Sequence, residues 1–167
     1  MVAFAGASLF MVATQRRYFE YAEWTRGISA SIETACLVRS DEGGTLSLSV
    51  GVASPAVRFR AVVDRVEFTL ARGGKHAGYY FTLPGEMAVE DVAEEEDLQR
   101  ITVTKRIPME AVQAGTAAIE AGGGPAEAGG NGAVRLTGDV VLKVSLARGD
   151  RLLRVPVSGE VTMADGA

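Results

Sequence analysis

Thr45–Val57 reads TLSLSVGVASPAV. Leu46, Leu48, Val50 and Val52 alternate strictly with small or polar residues, the period of two expected of a strand with one buried face. Ser54-Pro55 ends the pattern, because proline has no N–H to give a sheet ladder. The segment carries no chemically reactive group, so its role is architectural.

The same period extends in both directions. Towards the N-terminus, Ile28, Ala30, Ile32, Cys36 and Val38 fall on one face of a first strand. Downstream, Val66, Phe68 and Leu70 face one way while Arg65, Glu67 and Thr69 face the other. ARGGKH, Ala71 to His76, has the adjacent glycines of a turn, and Tyr79, Phe81 and Leu83 return as a fourth strand. Ile101, Val103 and Ile107 mark a fifth. Val134, Leu136, Val140, Leu142, Val144 and Leu146 form the longest run, and Leu153, Val155, Val157, Val161 and Met163 form its hairpin partner across ARGDR. About seven strands, each with one apolar face and short turns, predict an all-β, seven-stranded β-sandwich of immunoglobulin or fibronectin-III type. A parallel α/β fold would need a helix after each strand. One internal short helix is expected, opened by Pro108, continued by MEAVQAGTAAIEA and ended by Gly122 to Gly124. GGGPAEAGGNG then gives a flexible Gly/Ala-rich loop over 120–132.

The 167 residues suffice for one domain with a real core, and 47% of them are apolar, as in globular chains. A net charge of −4 provides no general electrostatic footprint for nucleic acid. Cys36 is the single cysteine, which excludes an internal disulfide, a dithiol redox motif and a multi-cysteine zinc site. No disulfide-linked partner is expected.

MVAFAGASLFMVAT, Met1 to Thr14, is apolar and is followed by Arg16-Arg17. The run is shorter than the roughly 20 residues that span a bilayer, and it lacks the basic start of a signal peptide. Three readings stay open. It is the distal part of an anchor that begins upstream, an interfacial helix with the aromatic residues of YFEYAEW (Tyr18 to Trp24) at the membrane surface, or a segment packed on the domain. An N-terminal apolar helical segment, residues 1–27 and a potential membrane anchor, therefore precedes a sandwich over residues 28–163. If the helix spans, Arg16-Arg17 favours the cytoplasmic side for the sandwich.

VDRVEFTLARGGKHAGYY, ITVTKRIPMEAV and VRLTGDVVLKVSLARGDRLLRVPVSGEV come after the alternating strand and its terminal proline in that order. Over roughly Ile28 to Thr162 this pattern resembles the water-stress and hypersensitive-response (WHy) domain of the late-embryogenesis-abundant group 2 proteins. Ser54-Pro55 stands where that family usually has Asn-Pro. The resemblance implies a fibronectin-like β-sandwich without enzymatic activity, often attached to an N-terminal membrane anchor, with a role in stress response and in interaction with proteins or membranes.

Each apparent site has a plainer explanation. His76, the only histidine, adjoins a Gly-Gly turn and lacks a paired nucleophile. Gly73 to Lys75 resembles part of a phosphate loop, but Thr69 occupies the position of its first glycine and His76 that of its Ser or Thr. The acidic run Glu90 to Asp97 lacks the spacing of a calcium loop and reads as a solvated connection. Arg148-Gly149-Asp150 spells an adhesion tripeptide at what is more simply a hairpin tip. Cys36 reads as a core thiol. Arg58, Arg60 and Arg65 read as a charge-protected sheet edge. No catalytic, cofactor-binding or metal-binding residue is assigned, no cofactor is implied, and the chain is expected not to be an enzyme. The expected partners are a lipid membrane, met through residues 1–24, and a protein. The expected location is membrane-associated through one N-terminal anchor, with the cytoplasm as the alternative. Two functions are consistent with these features: a membrane-associated protector or binder of macromolecules, and a soluble binding module for a specific protein or small-molecule ligand.

Overall fold

The computed structural model describes residues 2–40, 43–55, 59, 61–72, 75–83, 85–92, 98–108, 134–146 and 149–165, with the side chains of all but 2–13, 75 and 165. Helix α1 (Val2–Gly27) precedes eight strands: β1 (Ser29–Ser40), β2 (Gly43–Ala53), β3 (Ala61–Arg72), β4 (Lys75–Phe81), β5 (Met87–Asp91), β6 (Leu98–Pro108), β7 (Val134–Leu146) and β8 (Gly149–Asp165). The fold is all-β after its N-terminal helix. The helix expected after Pro108 and the loop over 120–132 lie outside the described residues.

The strands form one curled sheet in the order β4-β3-β7-β8-β1-β2-β6-β5. Strand β8 is the joint. From Gly149 to Val161 it pairs antiparallel with β7, and its last residues, Thr162 to Asp165, run parallel to Cys36–Arg39 of β1. The sequence predicts seven strands and the described residues form eight. The addition, β5, is a five-residue edge strand with only Met87 and Val89 as large apolar residues, too short to announce itself by alternation.

The concave face of the curl holds the core. Leu46, Leu48, Val50 and Val52 are all buried, in keeping with their architectural role. Opposite them sit Val66, Phe68 and Leu70 of β3 and Leu136, Val140, Leu142 and Val144 of β7. Phe68 is fully buried and stacks on the Tyr80 ring, with centroids 5.6 Å apart. Gly138 of β7 lies opposite Phe68 in the register. A Cβ there would come within 2.0 Å of the Glu67 carbonyl oxygen, so only glycine lets the two strands approach so closely.

Bulges in β1 and β3 shift the alternation. In β1, Ile32 pairs with Val50 but Thr34 with Ser49, leaving Glu33 as an extra residue. An extra residue reverses which face the following side chains take. Ala35 and Leu37 therefore turn inward, whereas Cys36 is only half-buried and Val38 is exposed. This corrects the placement of Cys36 and Val38 on the core side. In β3, Asp64 is the extra residue between Val63 and Arg65. Val63 and Val66, three apart, consequently share the core face.

Helix α1 is joined to the domain by its last turns. Trp24 is 5% exposed and belongs to the core cluster. Its ring lies 5.4 Å from Phe59, and Tyr21 packs edge-on against the same ring at 5.6 Å. Gly27 sits against Pro55, where an added Cβ would lie 2.5 Å from the Pro55 Cγ. The proline that ends β2 is thus also the seat of the helix end. Tyr18 and Phe19, further from the domain, stay exposed. Among the described residues no helix is long and apolar enough to cross a membrane.

Candidate interaction surface

The most developed polar cluster lies on the convex face of β4-β3-β7-β8. Alternation places Arg65 and Glu67 of β3, Asp139 and Val141 of β7, and Arg154 of β8 on this face, opposite the core positions. The register aligns Arg65, Val141 and Arg154 in one row and Phe81, Glu67, Asp139 and Pro156 in the next. Glu67 is nevertheless only 6% exposed. Arg65 Nε donates to its Oε1 at 2.7 Å, and Arg154 Nη1 to its Oε2 at 2.5 Å. Arg154 also pairs with Asp139 at 3.4 Å, and Arg65 with its neighbour Asp64. To reach Glu67 from β8, Arg154 crosses β7, and Val141 beneath it is fully buried despite facing outward.

Burial pushes the Glu67 carboxyl up, but hydrogen bonds from Arg154, Arg65 and Tyr79 outweigh it and hold the group at about 2. The hydrogen bond to Glu67 raises the Tyr79 phenol in turn. A carboxylate locked between two guanidinium groups is a poor proton carrier at neutral pH. The arrangement ties β3, β7 and β8 together across the convex face.

Around this network the convex face carries apolar side chains. Tyr79 and Phe81 on β4, Val62 on β3 and Leu152 on β8 are all exposed by about half or more. Lys143 lies between Val62 and Leu152 in the register and pairs with Asp150 at 2.9 Å.

Two further ion pairs fix the other half of the curl. The bulge residue Glu33 receives Arg100 Nε at 2.7 Å and the Ser49 hydroxyl at 2.9 Å, tying β1, β2 and β6 together. The hydrogen bond from Arg100, and then that from Ser49, lowers the Glu33 carboxyl. Gly51 leaves room for it, since a Cβ there would sit 3.1 Å from Glu33 Oε1. Where the chain crosses from β4 to β5, Lys105 Nζ donates to both oxygens of Glu86, at 2.9 and 2.8 Å. Glu86 also accepts the Leu83 N–H at 2.7 Å. Lys105, and then the Leu83 N–H, keeps that carboxyl below its ordinary range.

The residues singled out in the sequence are scattered. His76 is exposed on β4. Lys75 pairs with Arg72 in the ladder, and residues 73–74 lie outside the described set. Of the acidic run, Glu90 and Asp91 end β5, while residues 93–97 lie outside. Gly149 opens β8 with a φ of 113°, a backbone that favours glycine, and Asp150 pairs with Lys143 and Ser145 beside it. Arg58, Arg60 and Arg148 lie outside the described residues, and Arg65 belongs to the Glu67 network. Among the described residues no group of three or more His, Cys, Asp or Glu is placed to hold a metal ion. An open groove of about 570 Å³ runs between the start of β1 and β7–β8, past Ala30, Ile32, Gly138 and Pro156, and its lining has no titratable side chain. Sequence reading missed the Glu67 network. Its only local signal is the same-face pair Arg65 and Glu67, because Arg154 arrives from 87 residues away.

No family model matches the chain, and neither does any curated protein. Two solved structures align with it. AggA, the major subunit of aggregative adherence fimbriae type I from Escherichia coli, is 10% identical, with 82% of this chain and 93% of that chain covered and a TM-score of 0.35. The CooA pilin subunit from enterotoxigenic Escherichia coli is 8% identical, with 83% and 99% covered and a TM-score of 0.25. Likeness at that level carries no argument about this chain.

Proposed function

We propose that this chain is a non-enzymatic β-sandwich, held at a lipid surface by its N-terminal helix, that works by binding other macromolecules. The sandwich reading is supported by the strand order: β5-β6-β2-β1 and β4-β3-β7-β8 form the two halves, and the chain changes halves after β2, after β4 and after β6. That arrangement fits an immunoglobulin- or fibronectin-type Greek key. A stress-protective role rests on the resemblance to the late-embryogenesis-abundant group 2 domain and on nothing else.

The observation that carries the tether is the two-part character of α1. Its last turns are fixed to the core through Trp24 and Tyr21, while its first half is the apolar run Val2–Ala13. A helix seated at one end holds the other end at a set direction. Lipid is the natural cover for an apolar run without a polar face, given about 25 cal/mol per Å² of surface removed from water. Arg16, Arg17, Tyr18 and Phe19 come next, in the order that suits a membrane interface.

The test is co-sedimentation of the full chain with phosphatidylcholine vesicles, beside a variant in which Phe4, Leu9, Phe10 and Met11 are serine. Tyr21 and Trp24 are kept, because they pack on the domain. The full chain should pellet with vesicles even at high salt, since the attraction is apolar, and the variant should stay in solution and folded. A full chain that remains monomeric in the supernatant without detergent would sink the tether and leave the soluble binding module.

A further inference from the structure

We propose that the free edge of β4 pairs with the same edge of a second copy, joining two convex faces into one continuous sheet. The curl leaves two strand edges without a ladder partner among the described residues, β4 and β5. Thr82 N–H donates to the Val66 carbonyl at 2.9 Å. Backbone groups alternate in direction along an antiparallel strand. Tyr80, like Thr82, therefore points its N–H and C=O at β3, and Tyr79 and Phe81 point theirs outward at the free edge.

The two edges are protected to different degrees. β5 ends in Glu90 and Asp91, so two copies of that edge repel each other. The exposed end of β4, Tyr79–Tyr80–Phe81, has no charged side chain of its own, and Lys105 of β6, whose Nζ lies 5.8 Å from the centre of the Phe81 ring, is paired with Glu86. Its protection is the irregularity upstream, where Leu70 pairs with Gly78 and Ala71 with His76, and Gly78 takes a φ of 144°. That kink stops short of Tyr79, leaving the last residues of the strand straight and open.

The edge is self-complementary. An antiparallel pairing centred on Tyr80 sets Tyr79 opposite the partner's Phe81 and Phe81 opposite the partner's Tyr79. All four of these residues aim their backbone groups across the junction, so the two pairs close four inter-copy hydrogen bonds. The same register lays Tyr79 and Phe81, 62% and 48% exposed in one copy, against their counterparts as aromatic cross-strand pairs on the convex face. The adjoining Glu67 is already neutralised by Arg65 and Arg154, so no unpaired carboxylate is brought to the junction. A two-fold contact of this kind uses one patch twice and closes on itself.

Sedimentation equilibrium of the full chain in a mild detergent, over a range of concentrations, tests the pairing. Phe81→Pro removes one outward N–H from each copy and no hydrogen bond to β3. At about fivefold per hydrogen bond, losing two should weaken association about 25-fold. Tyr79→Lys sets like charges diagonally across the junction and should leave folded monomers. Val89→Lys on the β5 edge should leave the dimer intact. A wild-type chain that stays monomeric overturns the proposal. So does a dimer that survives both β4 variants, which would assign association to the helix or another face.

Discussion

Replacing Glu67 with glutamine separates a buried ion network from a solvated surface charge. Alternation alone places Glu67 on the solvent face, where substitution should change stability by less than about 0.5 kcal/mol. The structure places it under Arg65 and Arg154. A carboxyl lowered from 4.5 to about 2 corresponds to roughly 3 kcal/mol at about 1.4 kcal/mol per pH unit. That is an upper bound. The Arg154 side chain is 55% exposed, so water screens much of the attraction. We expect Glu67→Gln to cost about 1–2 kcal/mol at pH 7. A depressed carboxyl gives stability that is fully present above its unfolded value of 4.5 and is lost as pH falls towards 2. The gap between wild type and variant should therefore be widest near neutrality and close by about pH 2. Urea melts of both proteins at several pH values measure it, and the difference removes the contributions of Glu33, Glu86 and Asp150, which are lowered too. A gap under about 0.5 kcal/mol at pH 7, or one that does not change with pH, would refute the reasoning.

Phe68→Ala should cost about 3–5 kcal/mol in a denaturant melt, because it opens a cavity under Tyr80 and between β3 and β7. Gly138→Ala should cost at least about 3 kcal/mol, since its Cβ meets strand backbone at 2.0 Å. Gly159→Ala is the comparison: its Cβ meets the Ile32 side chain at 3.1 to 3.4 Å, the Ile32 Cβ included, a contact relieved by a shift of a few tenths of an ångström, so the loss should be smaller, about 1 kcal/mol. Equal melts for the two glycine variants would show that β3 and β7 are not in close approach.

The parts of the fold legible in the sequence are those where alternation runs unbroken. Leu46 to Val52 and Val66 to Leu70 fell on the core face as their period demands. The parts that were not legible depend on distant chain. Trp24 reads as an interfacial aromatic beside an apolar run, yet Phe59 and the end of the curl supply it with a core. Glu67 reads as a solvent-facing charge until β8 brings Arg154 across β7. Strand β5 has too few residues to show a period, and its pairing with β6 makes it a strand.

The bulges account for a further failure, the placing of Cys36 and Val38 on the core side. A bulge adds a residue, reverses the alternation beyond it and sharpens the local twist. In β1 and in β3 the added residue is an acid, Glu33 or Asp64, and each meets an arginine, Arg100 or Arg65. A residue squeezed out of the ladder has to face water, and a charged side chain with a partner nearby is stable there. In β1 and β3 the interrupting acid therefore marks where the strand bends. The two bends lie in strands on either side of the joint, β1 next to β8 and β3 next to β7. Extra twist at those places helps one eight-stranded sheet wrap around a single core. The same twist carries Cys36 off the inner face and Ala35 and Leu37 onto it. The reversed phase of β1 and the curl of the sheet thus have one cause.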